Sequence, residues 1–207
     1  MSGKRSLRVK IDPRFIKFSA ILLAVIVAAV ILAVVIKNLT GDKRSGGSSE
    51  GIFPTEVFGV PVHTSLMSAD IEARTAIKRE IKYIVIHETD NTNEGANAER
   101  HSDYLNRGIS GETSWHYTVD DTEIYHHVPD DEIAWHAGDT KNPDGGNAHG
   151  IGIELCVNCD GDFEKTFENG AKLTAYLLCA YRLDITAVTQ HADYICLLYT
   201  SPSPRDS

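Results

Sequence analysis

Cysteine is scarce, with four in 207 residues, too few and too scattered for a disulfide framework to carry the fold. Two of them form Cys156-Val157-Asn158-Cys159. No second pair follows to complete a zinc knuckle, and no helix starts after Cys156 as a redox pair requires, so a buried Cys156 and a loop Cys159 are expected. Basic charge is thin over most of the chain: residues 45–207 hold eleven Lys and Arg against twenty-seven Asp and Glu, a formal −16. A surface this acidic is repelled by phosphate backbones, which removes electrostatic support for nucleic-acid binding. No internal repeat is visible. A length of 207 residues leaves no room for a second enzyme domain beside one of ~100–200 residues.

The N-terminus has the opposite character. Residues 1–44 carry nine Lys and Arg and two Asp and Glu, a formal +7. Nineteen residues from Phe18 to Ile36 include one polar side chain, Ser19; at ~1.5 Å per residue they match the ~30 Å hydrocarbon layer of a bilayer. Lys4, Arg5, Arg8, Lys10, Arg14 and Lys17 precede this run, against Lys37, Lys43 and Arg44 after it. The basic excess keeps the N-terminus in the cytoplasm and exports the chain beyond Ile36. The run exceeds the ~7–15 residues of a cleavable signal, and no small-x-small cleavage site lies close behind it, so it reads as an uncleaved single-pass anchor in the cell membrane. Residues 41–51 hold nothing apolar to bury and read as a flexible tether. The expected organisation is a cytoplasmic leader over 1–17, a transmembrane helix over 18–36, a linker over 37–60, an extracytoplasmic domain over 61–195 and a tail over 196–207.

Within the domain, Lys82–Ile86 is a β-branched run ending at His87 and Ile151–Val157 is a second; both read as buried strands. His116–Val119 and Glu123–Val128, separated by Asp120-Asp121-Thr122, suggest a hairpin. Ala98, His101 and Leu105 mark a weak helical face, and Phe167, Ala171, Thr174, Leu178 and Tyr181 a better one. Strands and helices interleave, so the fold class is α/β: a single domain with a mixed central sheet flanked by helices, preceded by one transmembrane helix.

The nine histidines invite a metal hypothesis. His87 ends a strand run, where α/β sheets often present functional groups, and His191 comes after the short apolar stretch Ile185 to Val188. Two such imidazoles could supply two of the three protein ligands of a catalytic zinc and leave a position for water. Hydrogen bonds alone satisfy a strand-end His equally well, and on spacing the two readings stay open.

Whole segments say more. Ile84-Val85-Ile86-His87-Glu88-Thr89, Ser114-Trp115-His116-Tyr117-Thr118-Val119-Asp120, Ala134-Trp135-His136-Ala137-Gly138, Gly152-Ile153-Glu154-Leu155 and Gln190-His191-Ala192-Asp193-Tyr194 occur in that order. Together they resemble the N-acetylmuramoyl-L-alanine amidase family of the phage-endolysin and peptidoglycan-recognition type, over about Lys82 to Tyr194. The resemblance implies a zinc-dependent hydrolase that cuts the amide between N-acetylmuramic acid and L-alanine in peptidoglycan. It makes His87 and His191 zinc ligands and Glu154 the general base toward the metal's water. It puts Trp135 and His136 in the substrate groove and His116 beneath the metal site as a structural residue. His63, His101, His126, His127 and His149 read as surface or packing residues.

One departure stands out. In the family a third ligand, usually Cys or Asp, comes after the last His in a Lys-containing segment whose Lys helps stabilise the oxyanion. Here Ile195 leads into Cys196-Leu197-Leu198-Tyr199-Thr200-Ser201-Pro202-Ser203-Pro204-Arg205-Asp206-Ser207, which resembles a translated sequencing-adapter read-through. The expectation is that the authentic third ligand is missing, that Cys196 does not replace it, and that this chain binds zinc poorly. The alternative function is a membrane-anchored domain that binds peptidoglycan without cutting it.

Overall fold

The computed structural model describes residues 54–195. The expected membrane span over 18–36, the leader and the tail lie outside them. Among the described residues no helix is long and apolar enough to cross a membrane.

Among the described residues seven strands form one sheet: β1 (Glu56–Val57), β2 (Val60–Thr64), β3 (Tyr83–Glu88), β4 (Tyr117–Val119), β5 (Ile124–His126), β6 (Gly150–Leu155) and β7 (Val188–Gln190). Their spatial order is β1-β2-β5-β4-β6-β3-β7. The pairs β1/β2 and β4/β5 are antiparallel and the others parallel, so the sheet is mixed as expected. The anticipated hairpin is β4/β5, with Tyr117 opposite His126 and Val119 opposite Ile124. Asp120 closes its turn by accepting from the N–H groups of Thr122 and Glu123, both at 2.8 Å.

The fold begins before residue 61. Val57 and Val60 are core residues, 2% and 4% exposed, joined through Phe58 and Gly59 with φ of 47° and 83°. Positive φ at both central positions is the two-residue turn that suits the twist of a hairpin. The end of the expected linker is therefore the first hairpin of the sheet.

Period-two alternation sorts β3 and β6 into two chemical faces. Ile84, Ile151, Ile153 and Leu155 join Tyr117, Val119 and Ile124 in the main core, under Leu173, Leu177 and Leu178 of the long helix that spans Phe163–Tyr181. That helix starts at Asp162, whose side chain accepts from the N–H of Lys165, as an N-cap should. Its buried stripe includes the expected Ala171, Thr174 and Leu178 but is centred further round, with Gly170, Leu173 and Leu177 also inside and Tyr181 half exposed.

Val85, His87, Gly150, Gly152 and Glu154 occupy the opposite face by the same alternation. There α1 (Ala98–Asn106) packs beside β4 and β5. Leu105 joins Met67, Ala73, Trp115, Val128 and Ala134 in a second apolar cluster. The short α2 (Gly146–His149) lies against β3 and β6; the long helix over Phe163–Tyr181 is α3, and α4 (His191–Ile195) comes directly after β7. Cys156 is buried and Cys159 exposed, both as free thiols.

Candidate active site

The parallel register of β3 and β6 sets His87 beside Glu154, and α4 brings His191 to the same end of the sheet. His87 Nδ1 lies 2.8 Å from His191 Nδ1 and 4.0 Å from Glu154 Oε1. His87 Nε2 lies 3.0 Å from His136 Nδ1. These four residues share a cleft of about 350 Å³ with Glu88, Thr89, His101, Thr113 and Trp115. The candidate ligands and base, separated by up to 104 positions in the chain, are thus gathered in one place.

Of the two residues expected to hold substrate, His136 lines the cleft and Trp135 does not. Ser114 N–H donates to the Trp135 carbonyl and Trp135 N–H to Ser114 Oγ, each at 3.1 Å. Trp135 is half buried outside the cleft. The indole inside belongs to Trp115, whose Nε1–H donates to Thr118 Oγ1 at 2.7 Å.

His136 is itself deeper than a residue placed only to touch substrate. It is 6% exposed, and its ring lies against β6 at Gly152, where an added Cβ would meet His136 Cγ at 2.6 Å. Only glycine permits that approach. His116 lies deeper still: its Nδ1 accepts from Gly152 N–H at 3.0 Å, so its Nε2 carries the hydrogen and faces the Glu132 carbonyl at 3.0 Å. The expected structural role for His116 agrees with this placement. Arg79, which belongs to none of the sequence motifs, reaches under the site to donate to the carbonyls of Glu132 and Gly150, both at 2.9 Å.

Burial governs the electrostatics. Loss of solvent, reinforced by His136 and His191, lowers His87 to about 2. His136 is lowered to about 3 by burial, against the raising effect of its bond to Gly150 and with a smaller push from Arg79. Both imidazoles are therefore neutral at physiological pH, the form that ligates metals. Burial raises Glu154 to about 8, because a carboxylate without solvent is costly.

Two imidazole nitrogens turned toward one another suit Zn²⁺. Tetrahedral bonds of ~2.0–2.1 Å place ligand nitrogens ~3.3 Å apart, so the observed 2.8 Å separation need open by only about half an ångström. Among the described residues no group of three or more His, Cys, Asp or Glu is arranged to hold a metal; the two histidines fit as part of a ligand set.

Other expectations resolve as packing. His126 and His127 are fully buried in the hairpin. His63 pairs with Glu123 at 2.7 Å, and His149 Nδ1 lies 2.8 Å from the Glu80 carbonyl. His101, expected to be ordinary packing, also borders the cleft.

The family model described as N-acetylmuramoyl-L-alanine amidase matches residues 77–204. The chain is 46% identical over 109 residues to the N-acetylmuramoyl-L-alanine amidase XlyA of Bacillus subtilis, covering 53% of this chain and 36% of XlyA. It is 45% identical to CwlH of the same organism, covering 53% and 43%. The chain therefore spans less than half the length of these curated relatives. Among solved structures, the catalytic domain of XlyA aligns with a TM-score of 0.63 and 37% identity, covering 70% of this chain and 91% of that domain. A mutant endolysin from Bacillus subtilis aligns with the same TM-score at 38% identity, covering 66% and 86%.

Proposed function

We propose that this chain, which belongs to the N-acetylmuramoyl-L-alanine amidase family, hydrolyses the amide joining the muramic-acid lactyl group to L-alanine in peptidoglycan, with zinc as its cofactor. The observation that carries this reading is the convergence of His87 and His191 at 2.8 Å, with Glu154 at 4.0 Å from His87, in a single cleft. Zinc bound by the two histidines would polarise the scissile carbonyl, lower the pKa of water toward ~7 and oppose by its charge the burial that keeps Glu154 protonated.

The chain's own residues do the rest. Glu154, when ionised, takes a proton from the attacking water through a carboxylate oxygen and returns it to the alanine nitrogen as the C–N bond breaks. Trp115 offers an aromatic wall whose indole is held by Thr118, suited to a sugar or a peptide flank. A third protein ligand would come from outside residues 54–195.

The anchor and the location belong to the same proposal. A helix over 18–36 would hold the domain outside the cytoplasmic membrane, facing the wall, as the excess of Lys and Arg before the span supports.

Purified sacculi provide the test. The assay uses this chain and a version whose residues 196–207 are replaced by the corresponding segment of XlyA. Zinc-dependent release of stem peptides by the replaced version, lost in Glu154→Gln, is the expected result. No release under any zinc supply would refute the assignment. Tight, sub-micromolar zinc binding by the unaltered chain would refute the view that its tail lacks the third ligand.

A further inference from the structure

We propose that His136 is a positioning residue that sets the tautomer of His87, turning the bare Nδ1 of His87 toward His191 and a metal. This rests on the reading of His87 as a ligand.

The hydrogens can be placed from the Gly150 carbonyl outward. A carbonyl oxygen only accepts, so the 3.1 Å contact between His136 Nε2 and Gly150 O requires the hydrogen on Nε2. The other nitrogen of the neutral ring then presents a lone pair, and His136 Nδ1 presents it to His87 Nε2 at 3.0 Å. His87 Nε2 is therefore the donor, and Nδ1 of His87 is left bare, 2.8 Å from His191 Nδ1. In the metal-free protein that short contact needs one hydrogen, which His191 Nδ1 supplies. A cation on His136 instead is disfavoured by Arg79, whose guanidinium donates to the same Gly150 oxygen at 2.9 Å.

The fold holds this relay from several sides. Gly152 gives the ring room against β6. The N–H groups of His136 and Ala137 both donate to Asn147 Oδ1 at 2.7 Å. Asn147 is held in turn by Asp139, which accepts its N–H at 3.4 Å and that of Gly146 at 2.6 Å. A side chain needed only to touch substrate has no use for a bond to the far nitrogen of a ligand. Metal-bound histidines are commonly oriented by an acceptor on their second nitrogen; here a neutral imidazole, itself oriented by a backbone carbonyl, fills that place.

The test uses the full chain, labelled with ¹⁵N-histidine, in a non-ionic detergent after chelation. Long-range ¹H–¹⁵N spectra report which ring nitrogen of His87 carries the hydrogen. The parent should show His87 protonated at Nε2 and bare at Nδ1. His136→Phe keeps the ring shape, and Arg79 still satisfies the Gly150 carbonyl, but the acceptor is gone; His87 should lose its single tautomer. Calorimetric zinc affinity, measured in the version carrying the XlyA segment after residue 195, should fall by ~10–100-fold on the same substitution. His136→Asn, whose side-chain oxygen can occupy the place of Nδ1, should restore both readouts. An unchanged His87 tautomer and zinc affinity in His136→Phe would overturn the proposal, as would a lost tautomer in a folded His136→Asn. If the version carrying the XlyA segment after residue 195 binds no zinc while the unaltered chain shows the expected tautomer changes, the ligand reading falls and the positioning role stands.

Discussion

Replacing Glu154 by Gln should stabilise the metal-free protein, and only above the ordinary pKa of a carboxyl. Burial raises the Glu154 carboxyl from 4.5 to about 8. The folded state therefore binds one more proton than the unfolded chain between those values, and stability falls as pH rises through that window. At ~1.36 kcal/mol per pH unit, the gap sets a ceiling near 5 kcal/mol. A carboxyl at the edge of a cleft, 14% exposed, recovers part of its solvation, so roughly 2–3 kcal/mol is the working figure at an effective dielectric of ~20. Gln keeps the shape and never ionises. Denaturant melts of the chelated protein from pH 5 to 8.5 should show Gln and Glu nearly equal at the acid end and diverging steadily in favour of Gln above it. A difference that does not change with pH would refute the claim that desolvation governs this carboxyl.

Other groups give independent outcomes. The folded-state values of His87, His116, His127 and His136 are all depressed by burial, so their contribution is present above ~6.5 and lost as pH falls. With His101 also lowered by burial and Glu154 acting in the opposite sense, about three or more net protons should be taken up on unfolding near pH 5, measurable as the slope of stability against pH. Arg74 meets Glu132 through two contacts of 2.9 and 3.0 Å, with the carboxylate side chain 5% exposed. Arg74→Met leaves that charge without its main partner and should cost ~3 kcal/mol or more in chemical denaturation. Gly152→Ala drives a methyl into the His136 ring and should cost ~1–3 kcal/mol, with a matching disturbance of the His87 imidazole signals.

The main strands and the site's chemistry are legible in the sequence where local pattern and final position coincide. The run before His87 is apolar on both sides, as a buried strand requires, and the Gly-Ile-Gly-Ile-Glu-Leu alternation of β6 encodes one apolar face and one that carries Glu154. Features that depend on partners far along the chain are not legible in this way. Trp115-His116 and Trp135-His136 look alike as dipeptides, and only the folded placement of each segment puts the Trp115 indole, not that of Trp135, in the cleft. His136 carries a groove signal, but its contact with His87 spans 49 positions. Arg79 sits in no motif; its role arises from the carbonyls of Glu132 and Gly150 that the fold stacks around it. The first hairpin hides in the expected linker because its two strands are short and lie only a few residues past a polar, glycine-rich stretch, although a glycine at the second turn position is a usable cue.

The most direct test of the amidase assignment is chemical identification of the group freed from purified sacculi by the zinc-supplied protein carrying the XlyA segment after residue 195. The account predicts new amino-terminal L-alanine, labelled by an amine reagent, together with glycan strands stripped of their stem peptides. New reducing sugar ends, amino termini of any other residue, or no new termini at all would contradict it.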